Sequence, residues 1–262
     1  MEIQEIIQQK LTEIEQKENV TVLHAVESGS RAWGFASPDS DYDVRFIYVR
    51  RKKDYLRLEK CSDVIEWQLD ETLDINGWDL QKALILLHGS NPTLFEWNDS
   101  PVVYRTTDYW QTHRDEIRRC FQNKAGMYHY LSMAKSNYRA YLCGETVRLK
   151  KYFYVLRPVL AAKWIAERHC PPPVLFSELA EAMLTPALRP DVERLLELKM
   201  QTPEMGEREK IPALHDYLTE SIAALEALAA EIGPEQKTGW AMLDELFLAG
   251  IAFGEEKQEI QA

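Results

Sequence analysis

The chain has 262 residues and 45% hydrophobic content, enough for a real buried core in one large domain or two small ones. A formal net charge of −11 argues against a broad nucleic-acid-binding face. No run approaches the roughly 18 apolar residues that a membrane span requires, and nothing at the start resembles a signal peptide.

Residues 1–19 are charged throughout, with Ile3, Ile6, Ile7, Leu11 and Ile14 at helical spacing, which predicts a helix ending near Asn19. "VTVLHAVES" reads as a β-branched apolar strand running into Gly29. "RAWGFASPDSD" is a turn-rich connection, with one helical turn expected after Ser30. "YDVRFIYV" carries apolar residues on both faces, so it reads as a central, buried strand. "RRKKDYLRLEK" is a charged excursion. "DVIEWQLD" alternates and predicts a strand near the sheet edge. "LDINGWDLQKALILLHGSNPTLFEW" opens as a short strand and becomes an amphipathic helix near Asp79, ending at Gly89 with Pro92 just beyond.

Past about residue 105 strand signals vanish. Helical patterns cover roughly 108–122, 124–143, 146–169, 177–200, 211–231 and 236–252, broken by "CPPPVLF" and "QTPEMGEREKIP". The order predicts an α+β fold with a mixed sheet over residues 1–105, followed by an all-helical domain over 106–262. Residues 118–168 hold eleven Lys or Arg against two acids, Glu145 and Glu167. A basic middle in an acidic chain points to a local anionic ligand; a solvated helical surface is the alternative.

Chemistry is concentrated at "ESGSRAWGFASPDSDYDVRFIYV". Strand side chains alternate, so Asp41 and Asp43 should face the same way. Two carboxylates crowded on a buried strand repel each other and lose solvation, and a divalent cation removes both costs. Carboxylate oxygens suit Mg²⁺, and two such ions about 4 Å apart can clamp an in-line phosphoryl or nucleotidyl transfer. A surface turn with Asp caps is the competing explanation. Gly29 lets backbone N–H groups approach a ligand, Ser30 adds a hydroxyl, a following helix N-terminus favours phosphate, and Arg31 can neutralise triphosphate charge.

"GSRAWGFASPDSDYDVRFIYV" resembles the signature of the DNA polymerase β-type nucleotidyltransferase superfamily: Gly-Ser, about ten residues, then Asp-x-Asp on a strand. With "NGWDLQKAL" and "SNPTLFEW" following, the chain looks like a bacterial branch of predicted nucleotidyltransferases associated with RNA-ligase repair systems. The resemblance implies two Mg²⁺ ions, with Mn²⁺ as a substitute, held by Asp41, Asp43 and a third carboxylate near the acceptor hydroxyl. Asp63, Glu66, Asp70, Asp74 and Asp79 are candidates for that third group. Asp74 sits where the family pattern places it, Glu66 is the runner-up, and Asp79 reads better as a helix cap. Gly29, Ser30, Arg31 and Ser40 form the expected nucleotide-binding loop.

In the helical half, Lys150, Tyr154 and Arg157 lie at i, i+4 and i+7, a cation–phenol–cation face suited to a nucleotide. This row looks similar to the helical element that closes over the nucleotide in related nucleotidyltransferases. Pro158 should bend the helix. Tyr128, His129, Ser132, Lys135, Ser136 and Arg139 run along neighbouring rows that favour packing over ligand binding. The histidines are dispersed and Cys61, Cys120, Cys143 and Cys170 form no CxxC pair, which predicts reduced cytosolic thiols and no zinc. Without a P-loop or GxGxxG the chain is neither a P-loop enzyme nor a dinucleotide fold. The expected activity moves an NMP from an NTP to a hydroxyl on an RNA end, a protein or a small molecule. The alternatives are a silent nucleotide-binding regulator and a protein-modifying toxin–antitoxin-type enzyme.

Overall fold

A computed structural model describes residues 2–70, 72–201 and 207–261. Two compact units emerge, each assembled from separate stretches of chain. The first comprises residues 1–29, 41–120 and 237–262, and the second 30–40 and 121–236.

The first unit is built on a five-stranded mixed sheet in the order β3-β4-β2-β1-β5. Its strands are β1 (Val20–Glu27), β2 (Tyr42–Arg50), β3 (Val64–Leu69), β4 (Leu73–Asp79) and β5 (Val103–Thr106). β2 is central and β3 lies at the edge, as their patterns predict, and only β2 and β4 run parallel. α1 (Ile3–Glu18) ends in a left-handed Asn19 and buries Ile7, Leu11 and Ile14 in a cluster with Val22, Ala25, Phe46 and Ile75. α3 (Lys52–Tyr55) is a single turn in the charged excursion. α4 (Leu80–His88) is capped by the Asp79 side chain, which accepts the Gln81 N–H at 2.8 Å. α5 (Pro92–Asn98) and α6 (Asp108–Arg119) follow. The last helix, α12 (Trp240–Gln261), packs on β1, β2, α4 and α6. It begins at Trp240 and runs beyond the expected end at residue 252.

The second unit starts with the chain leaving α2 (Gly29–Ala32) and is dominated by α7 (Asn123–Tyr141) and α8 (Lys151–Arg168), with α9 (Phe176–Met183), α10 (Arg189–Gln201) and α11 (Pro212–Glu231) around them. Its core joins Phe35 to Met127, Tyr130, Phe153, Val159 and Phe176. Two expectations are corrected here. The pattern at 146–169 opens as strand β6 (Thr146–Arg148), paired with β7 (Glu207–Glu209), and the pattern at 177–200 breaks at Pro186–Leu188. Pro158 lies inside α8, and its missing N–H would have bonded the Tyr154 carbonyl; the Asn137 side chain donates there instead, at 3.0 Å. Among the described residues the cysteines are free thiols, and no helix is long and apolar enough to cross a membrane.

Candidate active site

In the first unit the parallel pairing of β2 and β4 sets Asp43 opposite Asp74. Arg45, two residues beyond Asp43, projects from the same face. Its Nη2 donates to Asp43 Oδ1 at 3.0 Å and to Asp74 Oδ2 at 2.6 Å, and its Nη1 donates to the Asp74 carbonyl at 2.8 Å. The three side chains are only 18, 25 and 27% exposed, so solvent screens this cluster less than a surface pair.

Below the carboxylates lies an acid that sequence reasoning passed over. Glu27, at the end of β1, is 1% exposed. Its Oε1 accepts the Asp43 N–H at 2.8 Å, and the Tyr104 hydroxyl donates to its Oε2. The Ser28 N–H in turn donates to the Asp43 carbonyl at 2.8 Å. Asp43 is therefore pinned through its backbone at both polar groups. Gly29 completes the fit, because a Cβ there would fall 2.1 Å from Asp43 Oδ2, and its φ of +59° favours glycine independently. Gly29 is read above as an opening for a ligand; the room left by its missing Cβ is taken by the Asp43 carboxylate.

Asp41 is exposed and stands one residue ahead of β2. The other candidate acids have separate occupations. Asp63 pairs with Lys82, Asp70 caps a turn through the Thr72 and Leu73 N–H groups, and Asp79 caps α4. Glu66 is exposed on the edge strand, opposite Asn76. Among the described residues no three His, Cys, Asp or Glu side chains gather as a metal cage. The donor set at β2 and β4 is nevertheless oxygen-only, and a guanidinium cation already draws two of its carboxylates together. That chemistry fits Mg²⁺, which takes few protein carboxylates and completes its shell with water and phosphate.

In the second unit, α2 is one turn of four residues, too short to build the helix dipole expected after Ser30. The loop is instead organised by hydroxyls. Ser30 Oγ donates to Ser40 Oγ at 3.2 Å, Ser37 Oγ lies 2.9 Å from Ser40 Oγ, and Arg31 Nη2 donates to the Ser40 carbonyl at 2.6 Å. Lys199, another residue not singled out from sequence, is 5% exposed and donates to the Phe35 carbonyl at 2.9 Å. Burial lowers its pKa, as does the Lys150 ammonium, against the opposing pull of Asp39.

The predicted row on α8 is divided. Lys150 is the residue before the helix, and Tyr154 is 37% exposed with the Lys151 ammonium 4.5 Å over its ring. Arg157 is 2% exposed, stacks 4.5 Å from the Trp33 ring and donates to the Val174 carbonyl at 3.4 Å. It turns inward and props Trp33, whose ring meets Tyr154 edge-on at 6.4 Å.

Comparison with known proteins places the chain in a family. The chain is 43% identical to the uncharacterized protein YcgL of Bacillus subtilis (strain 168) over 244 residues, 91% of this chain and 93% of that one. A nucleotidyltransferase-like protein from Exiguobacterium sibiricum 255-15, known from its crystal structure, is similar over 87% of this chain and 75% of its own, at 15% identity and a TM-score of 0.30. Residues 3–249 match RlaP, the RNA repair pathway DNA polymerase beta family, and the chain belongs to it.

Proposed function

We propose that the chain transfers a nucleoside monophosphate from an NTP to a hydroxyl at an RNA end. The observation that carries this reading is Asp43 set directly opposite Asp74 on parallel strands. The acceptor oxygen bonds to the α-phosphorus as the bridge to the β-phosphate breaks, and pyrophosphate leaves. Asp74 takes the proton from the acceptor hydroxyl. Asp41, Asp43 and Asp74 would hold Mg²⁺ or Mn²⁺, which when bound neutralises triphosphate charge and favours the attacking alkoxide.

Nucleotide-binding roles are also proposed for residues within the second unit, each on its own chemistry. Ser30 and Ser40 offer hydroxyls, while Arg31 and Lys150 offer positive charge. Tyr154 offers a ring for stacking or a phenol for the ribose, and Arg157 supports that ring through Trp33.

The test incubates the protein with each of the four α-labelled NTPs, Mg²⁺ and RNA. Label should appear on the RNA with matching pyrophosphate. Asp43→Asn and Asp74→Asn should each lower the rate at least about a hundredfold, as removal of several kcal/mol of charge stabilisation requires. Label on protein would shift the acceptor class. Arg45 in a cation's place favours a second reading, a nucleotide binder without turnover, and tight NTP binding with no pyrophosphate release would establish it.

A further inference from the structure

We propose that the solvent-facing side of α7 is a groove for single-stranded RNA. Tyr128, Ser132, Ser136 and Arg139 follow at i, i+4, i+8 and i+11, a single ridge of the helix. A hollow of about 710 Å³ lies along it, bounded by Tyr128, Ser132, Lys135, Ser136 and Arg139, with Glu226 of α11 on the opposite wall. A second hollow of about 530 Å³ shares Tyr128, Ser132 and Ser136 and adds His129 and Asn137. The core-facing side of α7 belongs to Met127, Tyr130, Leu131 and Ala134, whereas the Tyr128 ring is 50% exposed.

The composition of this face selects the ligand. α7 contains no acidic residue, although the chain has 42. The exposed Tyr128 ring suits base stacking, and Lys135 and Arg139 suit phosphates spaced along a strand. The Ser132 and Ser136 hydroxyls suit base edges and 2′-hydroxyls. An acidic peptide would use the cations and leave the Tyr128 ring without a partner. The one acid on the groove, Glu226, pairs with Lys135 across partly exposed side chains, an ion pair weak enough for phosphate to displace. The groove is assigned from its own chemistry; only its link to turnover rests on the function proposed above.

Fluorescence anisotropy of a labelled single-stranded RNA with the full chain, without NTP or divalent metal, tests the site apart from catalysis. Two cations on a single strand predict a roughly sevenfold loss of affinity from 50 to 200 mM salt. Tyr128→Ala and Arg139→Ala should each weaken binding about tenfold, the order of one lost stack or phosphate contact. Both side chains are exposed, so melting temperatures should not change. Glu226→Gln should tighten binding by freeing Lys135. Wild-type protein that fails to bind, affinities unmoved by these substitutions, or equal competition by polyglutamate would each overturn the assignment.

Discussion

Arg45 sets the state of the carboxylate pair. Without its guanidinium, Asp43 and Asp74 would face each other as like charges in a half-buried setting. Arg45→Gln should therefore cost about 1–3 kcal/mol at neutral pH, between the values for exposed and buried pairs. Mg²⁺ should restore more stability to the variant than it adds to the wild type, because it enters a site relieved of a competing cation. Melting curves with and without Mg²⁺, in the absence of NTP, check this; an identical metal response in both proteins would refute it. Much of this cluster was legible. Two acids interrupting an apolar run draw attention, and alternation alone puts Arg45 on the face of Asp43. Asp74 comes from the resemblance; what the sequence withheld was its register, since nothing local to residue 74 specifies that β4 lies parallel to and directly beside β2 with Asp74 opposite Asp43. Glu27 was hidden differently. Its hydrogen bonds to the Asp43 N–H and the Tyr104 hydroxyl explain a buried acid at a strand end, and both partners are distant in sequence.

At the scale of elements, periodicity located the strands flanking the site and the helices after them, because burial on one face imposes a repeat. It failed where the partner was small or remote. β6 and β7 are three residues each, too short to show alternation. α12 reads as one more helix in a run of helices, and the pattern does not say which long-range partner it chooses. Its glycines carry that information. A Cβ on Gly254 would lie 2.7 Å from Val49 Cγ1 on the central strand, and one on Gly250 would lie 2.3 Å from Leu80 Cδ2. In an isolated helix Gly→Ala gains about 1 kcal/mol. Here the stiff, fully buried Val49 opposes it, and overpacking of this kind costs about 1–3 kcal/mol. Gly254→Ala should thus be neutral to destabilising by up to about 2 kcal/mol. A denaturant midpoint raised by the full helical gain would show that α12 does not press on β2.

At the scale of the whole molecule, charge is distributed against its average: a basic stretch over 118–168 lies within a chain of net charge −11, so net charge misjudges what one face can bind. The response to pH is likewise a balance of opposites. His24 stacks on Trp110 and its Nε2 donates to the Trp97 carbonyl at 3.2 Å; burial above all lowers its pKa from 6.5 to about 4. Between those values the unfolded chain holds the extra proton, so His24 makes stability rise with pH by about 3 kcal/mol. Asp79 does the reverse. Burial raises its pKa from 3.8 to about 6, against the hydrogen bonds from Gln81 and Tyr55. The folded chain holds the extra proton there, so stability falls by about 3 kcal/mol as pH rises through nearly the same window. The two contributions offset each other in the wild type. Asp79→Asn keeps a side chain able to cap α4 while abolishing the titration. Its stability relative to wild type should therefore improve by about 2 kcal/mol from pH 4 to pH 6.5, whatever the other carboxylates do, because they titrate in both proteins. Urea unfolding at half-unit pH steps measures that difference directly, and parallel curves for variant and wild type would mean that Asp79 is ionised across the whole range.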